Sequence, residues 1–241
     1  MKRDCQPVWA RLVNGRFAPR PPRWPCELCG DPAGKAGICP PCRADLPWLG
    51  DACPGCARPR DVPGPCAECA ALSRPWSAVI APLAWRFPVD AMVARFKYAG
   101  ALHFGALLGR LLAARCAGRT VDGVVPVPLH RARLAERGFN QATELARPLA
   151  AALGVPVLEG VARRVQRTPP QAGLPAAGRR RNLAGAFVAD QRAGGLRLAI
   201  VDDVFTTGST AAGLAGALLE AGAAGIEVWA VARGGTAQAG V

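Results

Sequence analysis

Leu196–Thr210 reads LRLAIVDDVFTTGST, and the order of its chemistries decides how the rest of the chain is read. Leu198, Ala199, Ile200 and Val201 form an apolar run without alternation, the pattern of a central parallel strand covered on both faces. Asp202 and Asp203 follow as an acidic turn, then the loop Thr206, Thr207, Gly208, Ser209 and Thr210, then an Ala/Leu/Gly-rich helix to Gly222. In open α/β sheets, ligands bind beyond the carboxyl ends of such strands. A Thr/Gly/Ser loop turns sharply and aims N–H groups and hydroxyls at one point. The helix behind it adds its positive end, so that point suits a phosphate. The paired carboxylates can grip sugar hydroxyls or bring in Mg²⁺, which prefers oxygen ligands and arrives with a substrate's phosphates. A plain capped helix after a buried strand would explain the Thr and Ser, but not their coincidence with two acids.

Length and composition set the outer bounds. A chain of 241 residues holds one ordinary domain plus a small one. At 51% hydrophobic and 20% charged it is globular, not disordered. The longest apolar candidate, Ala101–Ala117, is interrupted by His103, Arg110 and Arg115, so no membrane insertion is expected. Met1-Lys2-Arg3 has no apolar block behind it, which predicts no signal peptide and a cytoplasmic location. The net charge is +13, but only Lys2, Lys35 and Lys97 of the 30 basic residues are lysines, so part of the Arg count is compositional bias. The distribution says more: Leu129–Arg181 holds ten Arg against Glu136, Glu144 and Glu159, +7 of the +13. That concentration points to an anionic partner, either polyphosphate or nucleic acid.

Three regions are expected in order: an arm over residues 1–25, a Cys-rich module over 26–72 and an α/β domain over 76–241. The module carries four CxxC pairs, Cys26/Cys29, Cys39/Cys42, Cys53/Cys56 and Cys66/Cys69, at similar intervals, like a duplicated unit. So short a Pro/Gly-rich stretch cannot build a core from apolar side chains, and Zn²⁺ held by four thiolates can supply the missing folding energy. Disulfides are the rival, with nothing marking the chain as secreted. Redox CxxC chemistry would need a βαβ context. Consecutive pairs are expected to share a metal, a crossed arrangement staying open. Closed sites of four thiolates leave no position for catalysis. Cys5 and Cys116 lie outside the pattern.

In the α/β domain, Ser77–Trp85 reads as a strand, Asp90–Tyr98 and Ala101–Cys116 as helices, and Val121–Pro128 as another parallel strand. An Arg-rich loop follows over 129–141, then a helix from Gln141 to Leu153, a further short strand over Val155–Leu158, and a last strand at Ile226–Ala232. Strand, basic loop and helix start make a second phosphate-binding arrangement, with Arg131, Arg133 and Arg137 as a diphosphate clamp and Asn140 and Gln141 as neutral donors. A solvated loop with Asn140 as helix cap fits equally. Lys97 is either solvated or reaches the same anion. Arg163–Asn182 is basic and Pro-rich, either a mobile cover over the anion site or a tether.

The Asp202–Thr210 stretch resembles the phosphoribosyl-pyrophosphate (PRPP) motif of type I phosphoribosyltransferases. Together with the four Cys pairs, FKYAG (96–100), PVPLHRARLAERGFNQ (126–141) and the RTPPQAG…RRRN segment (167–182), it resembles the ComF family from Cys26 to Arg233. That resemblance implies a type I phosphoribosyltransferase-like open parallel sheet flanked by helices, behind a double zinc ribbon. It implies that Asp202 and Asp203 meet the ribose hydroxyls and Thr206–Thr210 the 5-phosphate. Lys97, Arg131, Arg137, Asn140, Gln141, Arg167, Gln171 and Arg181 fall to the diphosphate and the hood. It further implies two structural Zn²⁺, Mg²⁺ with PRPP, and a role in DNA uptake with single-stranded DNA and competence helicase machinery as partners. Two functions are therefore expected: Mg²⁺-assisted phosphoribosyl transfer to an acceptor, or a DNA-handling module in which PRPP is a structural or regulatory ligand. Nothing in the sequence sets the oligomeric state.

Overall fold

The computed structural model describes residues 24–166 and 185–235. The chain divides into two compact units, Met1–Ala44 and Asp45–Val241. The boundary falls between the second and third CxxC pairs, inside the stretch expected to be one Cys-rich module. In the smaller unit, a bridge between Pro25 and Pro32, a 3₁₀ turn at Gly34–Ala36 and helix α1 (Pro40–Ala44) surround Cys26, Cys39 and Ile38, all buried.

In chain order the larger unit holds α2 (Ala67–Ala71), β1 (Ala78–Ile80), β2 (Leu83–Ala84), α3 (Val89–Ala99), α4 (Leu102–Cys116), β3 (Gly123–Pro126), α5 (Arg131–Arg137), α6 (Gln141–Leu153), β4 (Ala162–Arg164), β5 (Phe187–Ala189), β6 (Arg197–Phe205), α7 (Ser209–Glu220) and β7 (Gly225–Arg233). The main sheet is parallel, in the order β1-β7-β6-β3, with β2 continuing β1 along β7. The expected strand over Ser77–Trp85 is thus two pieces, broken at Ala81-Pro82, where proline has no N–H to give a ladder.

Side chains alternate across the sheet. Leu198, Ile200, Val228 and Ala230 join Leu214, Ala215 and Leu218 of α7 in one core. Ala199, Val201, Trp229 and Val231 therefore face the other way, and all four are buried. That face is covered by α4 and α6. Glu227 marks the same face: it accepts two bonds from Arg119, just beyond α4, at 3.0 and 2.6 Å. Both faces of the sheet are therefore helix-covered, as the unbroken apolar run in β6 predicts. No helix among the described residues is long and apolar enough to cross a membrane.

Four local expectations change. Asp202 and Asp203 lie within β6 rather than in a turn, because pairing with β7 continues to Phe205 opposite Arg233. Residues 131–137 form helix α5 rather than a loop: His130 Nδ1 accepts from Ala132 N at 3.3 Å, and Gly138 closes the helix in a left-handed conformation. Val155–Leu158 is reduced to one parallel bridge, Val157 to Val124. Finally, β4 and β5 make an antiparallel pair that the sequence pattern does not announce. The expected basic cover lies mostly outside the described residues.

The α4–α6 contact depends on Gly109. A Cβ there would sit 2.6 Å from both Leu145 O and Pro148 Cγ. Gly109→Ala should destabilise the protein by roughly 1–3 kcal/mol despite the better helix propensity of Ala. Denaturant unfolding of the two proteins at equal m-value checks it.

Candidate functional site

Strand β6 delivers the acidic pair and the loop to the same end of the sheet. Asp202 is half-buried and Asp203 is buried. Asp202 Oδ1 accepts from Asp203 N at 2.9 Å, and Asp203 Oδ2 is ion-paired with Lys97 Nζ, in the last turn of α3. Thr206 and Thr207 are exposed, Gly208 turns the chain with φ +76°, and Ser209 and Thr210 open α7. Thr207 Oγ1 and Ser209 Oγ lie 2.8 Å apart. A small cavity of about 20 Å³ beneath the loop is lined by Asp202 and by Thr206 through Ala211, so carboxylate and loop are neighbours. Ser209 N donates to Thr207 Oγ1 at 3.4 Å, and the first turn of α7 beside the exposed Thr206 and Thr207 suits an anion, since N–H groups there have no carbonyl partner within the helix.

Cations surround the acids. Burial, then the adjacent Asp203 carboxylate, push Asp202 well above the usual carboxylate range, with Lys97 opposing them. Such a pair is relieved by a cation between or beside the two groups. Arg164, in β4, feels Asp202 and Arg133; burial is the main influence and holds its guanidinium below the ordinary value. It falls in the basic segment Arg163–Asn182 expected as a cover over the anion site, where nothing in the sequence set it apart from its Arg neighbours.

Helix α5 presents a second cluster. A cavity of about 430 Å³ is lined by Lys97, Tyr98, Gly100, Arg133, Glu136, Arg137 and Phe139. Tyr98 is 81% exposed, and the Arg137 guanidinium lies 5.5 Å from its ring centre. Arg137 Nη1 also donates to Gln141 Oε1 at 2.5 Å. Asn140 is engaged in the scaffold: Oδ1 accepts from Ala142 N and Nδ2 donates to Val127 O, each at 3.1 Å. Asn140 therefore ties the end of the basic segment to the backbone just past β3, Gln141 holds Arg137, and Lys97, Arg133 and Arg137 are the basic groups that line the cavity. Arg131 is exposed at the start of α5. Arg167, Gln171 and Arg181 lie outside the described residues.

The eight cysteines form two tetrads, Cys26/Cys29/Cys39/Cys42 and Cys53/Cys56/Cys66/Cys69, each with its four Sγ atoms within 4.8 Å of one another. Sγ separations of 3.6 Å (Cys29–Cys39) and 3.8 Å (Cys56–Cys66) fit the edge of a tetrahedron with Zn–S bonds of about 2.3 Å. Consecutive pairs thus face one centre, not a crossed one. Against burial, which raises it, the N–H groups of Cys66 and Gly55 bring the Cys53 thiol down to about 6, while burial pushes Cys69 up to about 12. One ready thiolate among reluctant partners is what a bound cation resolves. The residues fit Zn²⁺, which would supply folding energy and no open position. The second tetrad is built into the larger unit: Cys53 and Cys56 share a core with Trp76 and Phe205.

No family model matches the sequence. Among curated proteins, the chain is 37% identical to DNA utilization protein YhgH of Salmonella typhi over 86% of this chain and 96% of that one. It is 35% identical to Competence protein F of Haemophilus influenzae over 70% of this chain and 78% of that one. Among solved structures, a glutamine PRPP amidotransferase from B. subtilis, complexed with ADP and GMP, aligns at 25% identity with a TM-score of 0.37. That alignment covers 52% of this chain and 25% of the other.

The raised Asp202 carboxyl has a measurable consequence. Its contribution to stability is full below the ordinary carboxylate value of 3.8 and is lost as pH rises through the higher folded value. Asp202→Asn should therefore melt above wild type at neutral pH, with the gap closing as the pH falls toward 3.8. Thermal melts across that range measure it.

Proposed function

Because this chain belongs to the ComF family, with DNA utilization protein YhgH and Competence protein F, we propose that it binds PRPP at the end of β6 and transfers its phosphoribosyl group. The observation that carries this reading is that Asp202 and the Thr206–Thr210 loop are neighbours at the carboxyl end of the central parallel strand. The 5-phosphate sits on the loop and the start of α7. The ribose diol reaches Asp202 and Asp203. The diphosphate then lies toward Lys97, Arg133, Arg137 and Arg164, joined by Arg131 and the basic segment holding Arg167, Gln171 and Arg181.

The chemistry follows from that placement. The bond from C1 of the ribose to the diphosphate oxygen breaks, and its electron pair leaves with the diphosphate. Positive charge develops on the sugar, as in glycoside cleavage. Carboxylates beside the ribose and fixed cations beside the leaving group both favour that state. The acceptor's lone pair forms the new bond to C1, and its proton passes to the released diphosphate or to water. Asp202 and Asp203 suit Mg²⁺, since a buried, mutually repelling carboxylate pair gains from a cation; when bound, the ion would screen the diphosphate charge. As the diol takes Asp203, Lys97 becomes free to turn to the diphosphate. Asp202→Asn with Asp203→Asn should weaken PRPP binding in Mg²⁺ by roughly 10- to 100-fold in calorimetry. Equal affinity in both proteins would reject the assignment.

A second reading rests on Tyr98. An exposed aromatic ring beside Lys97, Arg133 and Arg137 is the combination that stacks a base and holds a neighbouring phosphate. Here the protein handles single-stranded DNA, and PRPP is a structural or regulatory ligand. Tyr98→Ala should lower affinity for a short single-stranded oligonucleotide by roughly 5- to 100-fold, and wild-type affinity should fall steeply with salt. Weak binding indifferent to both changes would remove this reading.

A further inference from the structure

The second Cys tetrad and the Thr206–Thr210 loop are joined by the residue that ends β7. Arg233 is 4% exposed. Its Nε donates to Cys56 O at 2.7 Å, and its Nη1 donates to Phe205 O at 3.2 Å and to Gly234 O. One guanidinium thus spans from the backbone of a metal-ligating residue to the residue just before Thr206. The same guanidinium lies over the Phe205 ring, 5.5 Å from its centre. Trp76 runs a parallel link. Its Nε1 donates to Gly55 O at 3.0 Å, between two Cys ligands, and its ring meets Phe205 edge-on at 5.9 Å. The loop's turning residue rests on both rings: a Cβ at Gly208 would lie 2.8 Å from Phe205 and 3.1 Å from Trp76.

Charge gives this link a direction. Arg233 is buried, and its bonds go to carbonyls, not to a carboxylate. With Arg58 and Arg74 it lines a cavity of about 400 Å³ in which Glu68 is the one acid, bonded to both other arginines. Three guanidinium groups against one carboxylate leave a surplus of about two positive charges, and four thiolates around one Zn²⁺ carry about two negative ones. The loaded tetrad therefore supplies the countercharge that a buried, unpaired cation requires. Without it, Arg233 gains by turning to water, and Phe205 O and the knuckle carbonyl lose their common donor.

We propose that Arg233 is a positioning residue through which the metal-loaded second tetrad sets the Thr206–Thr210 loop, so that metal retention at Cys53/Cys56/Cys66/Cys69 and binding of a phosphorylated ligand at the loop form one coupled equilibrium. The proposal rests on the reading of that loop as a phosphate seat. Linkage makes the coupling reciprocal: the metal tightens the ligand, and the ligand holds the metal. A bond that merely fastens the tetrad to the domain would stabilise the fold without making metal release depend on the loop's ligand.

The test uses the full-length, zinc-loaded protein with ribose 5-phosphate as probe and a chromophoric chelator as zinc acceptor. Saturating probe should slow the release of one of the two zinc ions by about tenfold. In Arg233→Gln both zinc ions should stay bound, that slowing should vanish, and amide exchange over residues 205–212 should quicken. Trp76→Phe keeps the ring contact and drops the Gly55 bond; it should move exchange the same way, less far, and stands in if Arg233→Gln fails to fold. A wild type that binds the probe yet releases zinc at an unchanged rate overturns the proposal. So does exchange over 205–212 that is indifferent to these substitutions. A wild type that does not bind the probe, with exchange that does respond, rejects the phosphate seat and leaves the tetrad-to-loop link standing.

Discussion

Strand β6 hydrogen-bonds to a parallel neighbour on each side and is covered by helices on each face, and that double enclosure dictates where polar chemistry can emerge. Leu198, Ala199, Ile200 and Val201 are fully buried, each larger side chain contributing about 1.5–3 kcal/mol. No ionised group is tolerated along that run without a partner, because an unpaired buried charge costs several kcal/mol. The carboxyl end is the first place where the covering thins. There the strand places two acids at once, one buried on Lys97 and the other beside the loop. The apolar half of the strand supports the cost of its polar half.

The remaining site elements are cations brought from separate parts of the chain. Lys97 comes from the end of α3, Arg133 and Arg137 from α5, and Arg164 from β4. Lys97 is ion-paired with Asp203, Arg137 is steadied by Gln141 and the Tyr98 ring, and Arg164 lies over the ring of Phe187 at 5.5 Å. A guanidinium over an aromatic face keeps its charge uncancelled by that contact, whereas one in an ion pair commits it. The surface pairs elsewhere, such as Arg192 with Asp190, are of that second, committed kind.

Much of this was readable from residues alone, for physical reasons. Helix α6 begins at Gln141 and ends at Leu153 as read, because Asn140 caps it and Gly154 closes it. The apolar run of β6 and the CxxC spacings are equally local signals. What could not be read is pairing. Asp202 and Asp203 looked like a turn because acids disfavour strands, but β7 continues the ladder past them. Helix α5 looked like a loop because Arg and Glu fill it and it has no buried face. Strands β4 and β5 find each other across a long sequence gap. Arg233 was invisible among 30 basic residues, and Arg164 was legible only as one member of a basic segment, since tertiary contacts alone distinguish them. The boundary between the two tetrads was hidden for a related reason: the repeats are alike, and it takes tertiary contacts to show that Cys53 and Cys56 belong to the larger unit's core.

The two hydroxyls of Thr207 and Ser209 are already hydrogen-bonded to each other at 2.8 Å. An incoming oxyanion must compete with a bond in place, so part of the attraction it gains is offset by the contact it breaks. When the anion departs, the hydroxyls close on each other at once and no donor is stranded. Two hydroxyls so arranged would favour quick exchange of an anion over long retention.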